Sequence, residues 1–266
     1  MRKLRKFFAR RSSWSLPYFV FLLLFVVLPL VMIAFYAFRG NDGAFSFSNF
    51  VKFVEQKEAL NTFIYSVGIA IVTTAICILF GYPAAYILSN SSLTRSKTMV
   101  VLFILPMWVN ILIRTLATVA LFDFAGIPLG SGALMFGMVY DFLPFMIYPI
   151  YNTMMKIDKN LIEAAQDLGA SRMSVFRKVI FPLSMPGVTS GILMVFLPTI
   201  STFAISEILT MNNIRLFGSI IQENIQLSDT MNYGAALSLI MLLIIGITSF
   251  FSGDSDDEAI GQGGLI

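Results

Sequence analysis

Histidine is absent from the 266 residues, cysteine occurs once, at Cys77, and only 12% of the residues are charged. Without histidine there is no Ser-His or Cys-His relay and no imidazole-ligated metal centre, and no HExxH zinc motif. A single cysteine excludes a disulfide framework within the chain. Cys77 lies in the apolar run 69–80 and reads as a small buried hydrophobe rather than a redox group. A glycine-rich phosphate loop ending in Gly-Lys-Ser/Thr is also missing, which excludes a nucleotide-hydrolysing site of that type in this chain. Nor is there a filter-like backbone motif or a repeated charged ring of the kind an ion channel uses. The scarcity of charge is the most decisive of these deficits. With 57% hydrophobic residues and a mean hydropathy of +0.82, the chain is too apolar for a water-soluble globule, and its solvent is lipid.

Six apolar runs follow along the sequence, at 17–38, 61–88, 98–122, 134–155, 187–209 and 233–251. Each matches the roughly 20 residues that a helix needs to cross a bilayer core. The first is too long, and lacks the small-residue cleavage site, to be a secretory signal. The expected fold is therefore all-α: one transmembrane domain over residues 1–266 with six membrane helices. The net charge of +3 does not point to nucleic acid, because the basic residues stand in short blocks beside apolar runs. Thirteen of the eighteen fall in three segments: Arg2, Lys3, Arg5, Lys6, Arg10 and Arg11 before the first run, Arg95 and Lys97 after the second, and Lys156, Lys159, Arg172, Arg177 and Lys178 after the fourth. Cytoplasmic connections retain Lys and Arg, so these segments share the cytoplasmic side and both termini are cytoplasmic. The acidic tail, with Asp254, Asp256, Asp257 and Glu258, carries little weight in that rule.

The connection 158–186 is the longest on the cytoplasmic side, and its polarity has a helical period. Leu161, Ala164, Ala165, Leu168, Val175, Phe176 and Val179 recur three and four residues apart. The spacing predicts two short amphipathic helices separated by Gly169-Ala170-Ser171, with Ser171 capping the second. Pro182 and Pro186 are expected to stop that second helix before the fifth span.

Glu163-Ala164-Ala165, three residues, Gly169, nine residues, Val179, one residue, then Phe181-Pro182 resembles the EAA loop of ABC importer permeases. The family pattern has Ile and Leu where Val179 and Phe181 stand, and both replacements are apolar. The resemblance implies the type I importer permease fold, with the loop as a cytoplasmic coupling helix that docks on a separate ATP-hydrolysing subunit. Glu163, Ala164, Ala165, Gly169, Ala170, Ser171, Phe176 and Pro182 are the residues assigned to it. Small alanines permit close helix approach, and glycine permits a turn that a Cβ resists. The same resemblance implies a cytoplasmic ABC ATPase dimer that binds ATP and Mg, with no cofactor in this chain. It also implies a second permease subunit, with a heterodimer preferred over a homodimer, an extracytoplasmic substrate-binding protein, and location in a bacterial inner membrane. Permeases for various small solutes share this plan, so the solute class is the first point left to alternatives, and a membrane scaffold that uses the loop only for docking is the second; it would bind its partner without altering ATP turnover.

Three ionisable residues fall inside the spans: Arg114, Asp141 and Glu207. Such residues are costly in lipid and mark either a solute path or an internal pair. Arg114 and Asp141 are able to neutralise each other between helices three and four, and Glu207 to snorkel to the interface. Over most of its length the chain also resembles the PotB-like subunits of spermidine/putrescine permeases, as in Leu16-Pro17-Tyr18 and in the stretch 195–209. A polyamine passage would offer carboxylates and aromatic faces, and Trp108, Tyr140, Asp141, Phe203 and Glu207 are the expected lining. Prolines 29, 83, 106, 144, 149 and 198 are candidate kinks within spans.

Overall fold

The computed structural model describes residues 16–40, 43–90 and 94–261. The N-terminal basic block, the side chains of Arg95 and Lys97, and those of the acidic tail lie outside the described residues. Among the described residues, five helices are long and apolar enough to cross a bilayer: Pro17–Ala37 (α1), Lys57–Asn90 (α3), Ser131–Met154 (α6), Arg172–Ser201 (α8) and the stretch Met231–Ser249 of Met231–Gly261 (α11). A bent pair, Thr98–Trp108 and Ile111–Phe124, which meet at 98°, makes a sixth crossing when the two are counted as one broken span. Shorter helices complete the set: Ser48–Glu55 (α2), Lys159–Asp167 (α7), Ala204–Thr210 (α9) and Phe217–Gln226 (α10). The bent pair consists of Thr94–Ile104 (α4), a 3₁₀ turn Leu105–Trp108, and Ile111–Phe124 (α5). Among the described residues the contacts fall into two compact units, one with the residues up to Lys57 and Ile221–Leu242, the other with Glu58–Ile220 and the residues from Leu243 onward.

In the first unit, α1 is apolar on all sides and its central stretch is buried nowhere within the chain, as a helix facing lipid or another subunit requires. Past its end, Asn49 of α2 donates through Nδ2 to the carbonyls of Ala37 and Arg39, both at 3.0 Å, and so satisfies backbone groups that the helix leaves open. Phe38, Phe45, Phe47 and Phe50 form a ring cluster over the turn. Ala37 packs with Ala235 and Ala236.

The second unit is centred on α6, whose Leu134, Met138, Met146, Ile147 and Ile150 are fully buried. Small residues let α8 approach it closely, as is usual between helices in lipid. A Cβ on Gly187 would lie 2.8 Å from the carbonyl of Pro149, and one on Gly191 would lie 2.7 Å from the sulfur of Met146. On the other flank, Gly137 of α6 admits the side chain of Leu209 from α9.

Three sequence expectations are corrected. Pro182 and Pro186 do not end a helix, because α8 runs without interruption from Arg172 to Ser201. In a regular α-helix a proline clashes with the carbonyl four residues back and cannot donate to it. Here a π-helical turn, Phe176–Ile180, precedes the proline, and the Phe181 N–H donates to the Phe176 carbonyl, five residues back. The widened turn places Pro182 at the start of the next α-helical segment, where no donor is needed. The same arrangement occurs in α1, where Leu28 donates to Leu23 just before Pro29. The third span is not one helix: Pro106 enters a tight 3₁₀ turn, Val109 is extended, and Asn110 caps a fresh start by accepting from Leu112 N at 2.8 Å. The fifth span ends at Ser201, where Thr202 is extended, and residues 204–210 form the separate α9. A Cβ on Gly218 would come within 2.9 Å of the Thr202 carbonyl, so glycine there lets α10 close on the opened backbone.

Candidate coupling loop and solute passage

α7 begins at Asp158, whose Oδ1 accepts from Asn160 N at 2.9 Å, an N-cap that orders the first turn. It ends in a Schellman arrangement: Gly169 N donates to Gln166 O at 2.8 Å and Ala170 N to Ala165 O at 3.1 Å, with Gly169 at φ +80°. Nothing lies within 4 Å of where a Gly169 Cβ would stand, so left-handed backbone, not space, selects glycine. Ser171 Oγ then accepts from Ser174 N at 3.3 Å and starts α8, as the spacing predicts. Glu163 and Ala164 are exposed and Ala165 is half-buried. No residue of α7 is buried, and Leu161, Leu168 and Met173 are exposed, Leu168 to 89%. Amphipathic α7 thus leaves Leu161 open, as the turn after it leaves Leu168 and the start of α8 leaves Met173, and nothing within this chain covers them.

The loop is tied to the membrane helices by a ring cluster. Phe176 meets Tyr86 edge-on with centroids 5.3 Å apart and Tyr82 at 6.0 Å, and Phe181 lies 5.9 Å from Tyr82. The Tyr82 hydroxyl and Ser184 Oγ are 2.9 Å apart. Tyr82, Pro83, Tyr86, Arg172, Met173 and Phe176 surround a recess of about 350 Å³. Tyr82 and Tyr86 do not emerge from the motif. Their signal is two tyrosines four residues apart about a proline at the end of the second apolar run.

The five expected passage residues do not share one environment. Trp108, in the bend of the third crossing, is 88% exposed, while Tyr140 and Phe203 are partly open. Glu207 lies on α9, half-buried, just after the break at Thr202. Asp141 is buried to 1% and paired: Arg114 Nε stands 3.4 Å from its Oδ1. Thr115 Oγ1 is 3.3 Å from its Oδ2, and both Arg114 Nη atoms are 3.4 Å from its backbone carbonyl. The guanidinium also lies 5.9 Å from the Tyr140 ring centre. Of the two sequence readings of this pair, the geometry is that of mutual neutralisation, and Asp141 offers no open carboxylate in this structure.

The family model described as binding-protein-dependent transport system inner membrane component matches residues 78–253, a stretch that contains α6, the whole of α7 and α8, and the cluster beneath them. The chain belongs to this family. The permease is 31% identical over 249 residues to the spermidine/putrescine transport system permease protein PotB of Salmonella typhimurium (strain SL1344), covering 85% of this chain and 86% of that one. It is 30% identical to the protein of the same description from Escherichia coli (strain K12), covering 85% and 90%. In fold it resembles a chain of the bacterial alginate ABC transporter solved with an alginate pentasaccharide-bound periplasmic protein. The TM-score is 0.70 at 15% identity, over 94% of each chain. The all-α architecture is thus that of ABC importer permeases, and the chain is a multi-pass membrane transport subunit.

Proposed function

We propose that this permease is the membrane subunit of a polyamine importer, passing spermidine or putrescine inward at the expense of ATP hydrolysed on a separate cytoplasmic ABC ATPase dimer. The observation that carries the reading is the identity of about a third to the PotB permeases over 85% of the chain. A second permease subunit, preferably a different one, completes the passage, and an extracytoplasmic binding protein delivers the solute. Both termini are cytoplasmic, in accord with where Lys and Arg fall.

The exposed surface of α7 is the dock for the ATPase, with Glu163, Ala164 and Ala165 at the contact and Gly169 to Ser171 fixing the turn into α8. Because α8 continues unbroken from that turn into the membrane, a displacement of the dock is carried into the spans rather than absorbed by a loop. Trp108, Tyr140, Phe203 and Glu207 line the passage. Aromatic faces attract a desolvated ammonium, and Glu207 supplies the opposing charge.

The test is ATPase activity of the co-purified complex in proteoliposomes, with solute-loaded binding protein on the outer side. Stimulation that collapses in Glu163→Ala while the subunits stay assembled supports the coupling assignment. If no ATPase co-purifies with the chain, the assignment fails.

A further inference from the structure

We propose that Arg114 and Asp141 form a positioning pair that fastens the broken third crossing to α6 and sets its bend, rather than meeting the transported solute. The inference goes beyond the transport reading and does not depend on which solute is carried. α5 has 14 residues, about 21 Å of helix, which is short of the roughly 30 Å core of a bilayer. Alone it is a poor span. At the bend that precedes it Val109 N still donates to Pro106 O and Asn110 O still accepts from Arg114 N, but the Val109 carbonyl and the Asn110 N–H fall outside the helical ladders, and such backbone is tolerated at membrane depth only against protein or water. Something must hold α5 at this angle.

The pair stands where that force is needed. Arg114 is in the first turn of α5 and Asp141 is near the middle of α6. The guanidinium addresses both the carboxylate and the backbone carbonyl of Asp141, while Thr115, the next residue, reaches the second carboxylate oxygen. Two adjacent residues of one helix therefore grip one residue of the other from two sides, and both charges are desolvated together. A carboxylate serving as a counter-charge for a passing cation would have to be open; this one is occupied by the chain's own cation and 99% withdrawn from the surface.

The experiment uses the assembled complex with Cys77→Ala and Thr118→Cys, since Thr118 is buried one turn beyond Arg114. The thiol reports release of α5. Loss of one member of a buried pair is strongly disruptive, so Arg114→Gln and Asp141→Asn are each expected to raise the maleimide alkylation rate at least about fivefold. They should also lower the maximal uptake rate for spermidine with little change in KM. The charge exchange, Arg114→Asp with Asp141→Arg, is expected to return alkylation to within about twofold of the parent. Parental alkylation in both single variants overturns the proposal. So does a raised KM in Asp141→Asn with alkylation unchanged, because Asp141 would then be meeting solute. If neither single variant assembles, Arg114→Lys decides: it keeps the charge but loses the fork, and a parental alkylation rate in it overturns the proposal, whereas a raised one supports it. If spermidine is not transported, the alkylation results stand by themselves.

Discussion

Gly169 and Glu207 show how differently single residues are constrained in this chain. At Gly169 the constraint is the backbone at φ +80°, since open space surrounds the missing Cβ. Gly169→Val is therefore expected to weaken the turn by about 1–2 kcal/mol and to reduce binding-protein-stimulated ATPase. Gly169→Asn, which tolerates left-handed backbone, should retain most of it. Equal losses in the two variants, measured on complexes matched for assembly, would point to contact rather than backbone. At Glu207 the constraint is charge. If the carboxylate meets a cationic solute, Glu207→Gln should raise the KM for spermidine about tenfold, the worth of one charge-assisted hydrogen bond, while the maximal rate falls less. An unchanged KM would leave Glu207 as a side chain reaching for the interface. Much at this scale is legible in the sequence: the cap at Ser171 and the glycine turn before it depend on neighbours within four residues. The burial of Asp141 against Arg114 is legible only as one of two possibilities, because residues 27 apart in sequence meet through packing that no local pattern encodes.

At the scale of elements, the prolines mislead. Pro182 read alone is a helix stop, and the π-helical turn before it, which lets α8 continue, has no signature in hydrophobic period. The break after Pro106 was better signposted, since proline followed by a capping asparagine four residues later is a stop and a restart, yet an uninterrupted apolar run conceals it. The continuity of α8 gives the ring cluster its importance. Phe176 and Phe181 project from the start of α8 against Tyr82 and Tyr86 of α3, so the first turns of α8 are packed directly on a second membrane helix. Phe176→Ala is expected to leave ATPase subunits bound but to cut solute-stimulated turnover several-fold, because truncating a packed aromatic loosens its neighbours by up to about 3 kcal/mol. Wild-type stimulation in that variant would show that the force travels by another route.

For the molecule as a whole, the apolarity of the spans follows from composition, and the expectation of their sidedness rests on where Lys and Arg fall. The sidedness is open to direct measurement. In Cys77→Ala, a thiol placed by Leu168→Cys is expected to react with a membrane-impermeant maleimide only from the cytoplasmic face. One placed by Phe124→Cys, at the far end of α5 and 91% exposed, is expected to react only from the outer face. The reverse pattern would invert the topology and remove α7 from reach of a cytoplasmic ATPase. What the sequence of one chain does not display is the covering of α1 and of the open faces of α3 and α5, since lipid and a second subunit ask for the same apolar surface.

Uptake of labelled spermidine distinguishes polyamine import from transport of another solute. The complete complex would be reconstituted in proteoliposomes, with binding protein outside and ATP inside. Accumulation is expected to require ATP and binding protein, to be displaced by unlabelled putrescine, and to be lost in Glu163→Ala. ATP turnover stimulated by a loaded binding protein without any accumulation of spermidine would contradict the polyamine assignment.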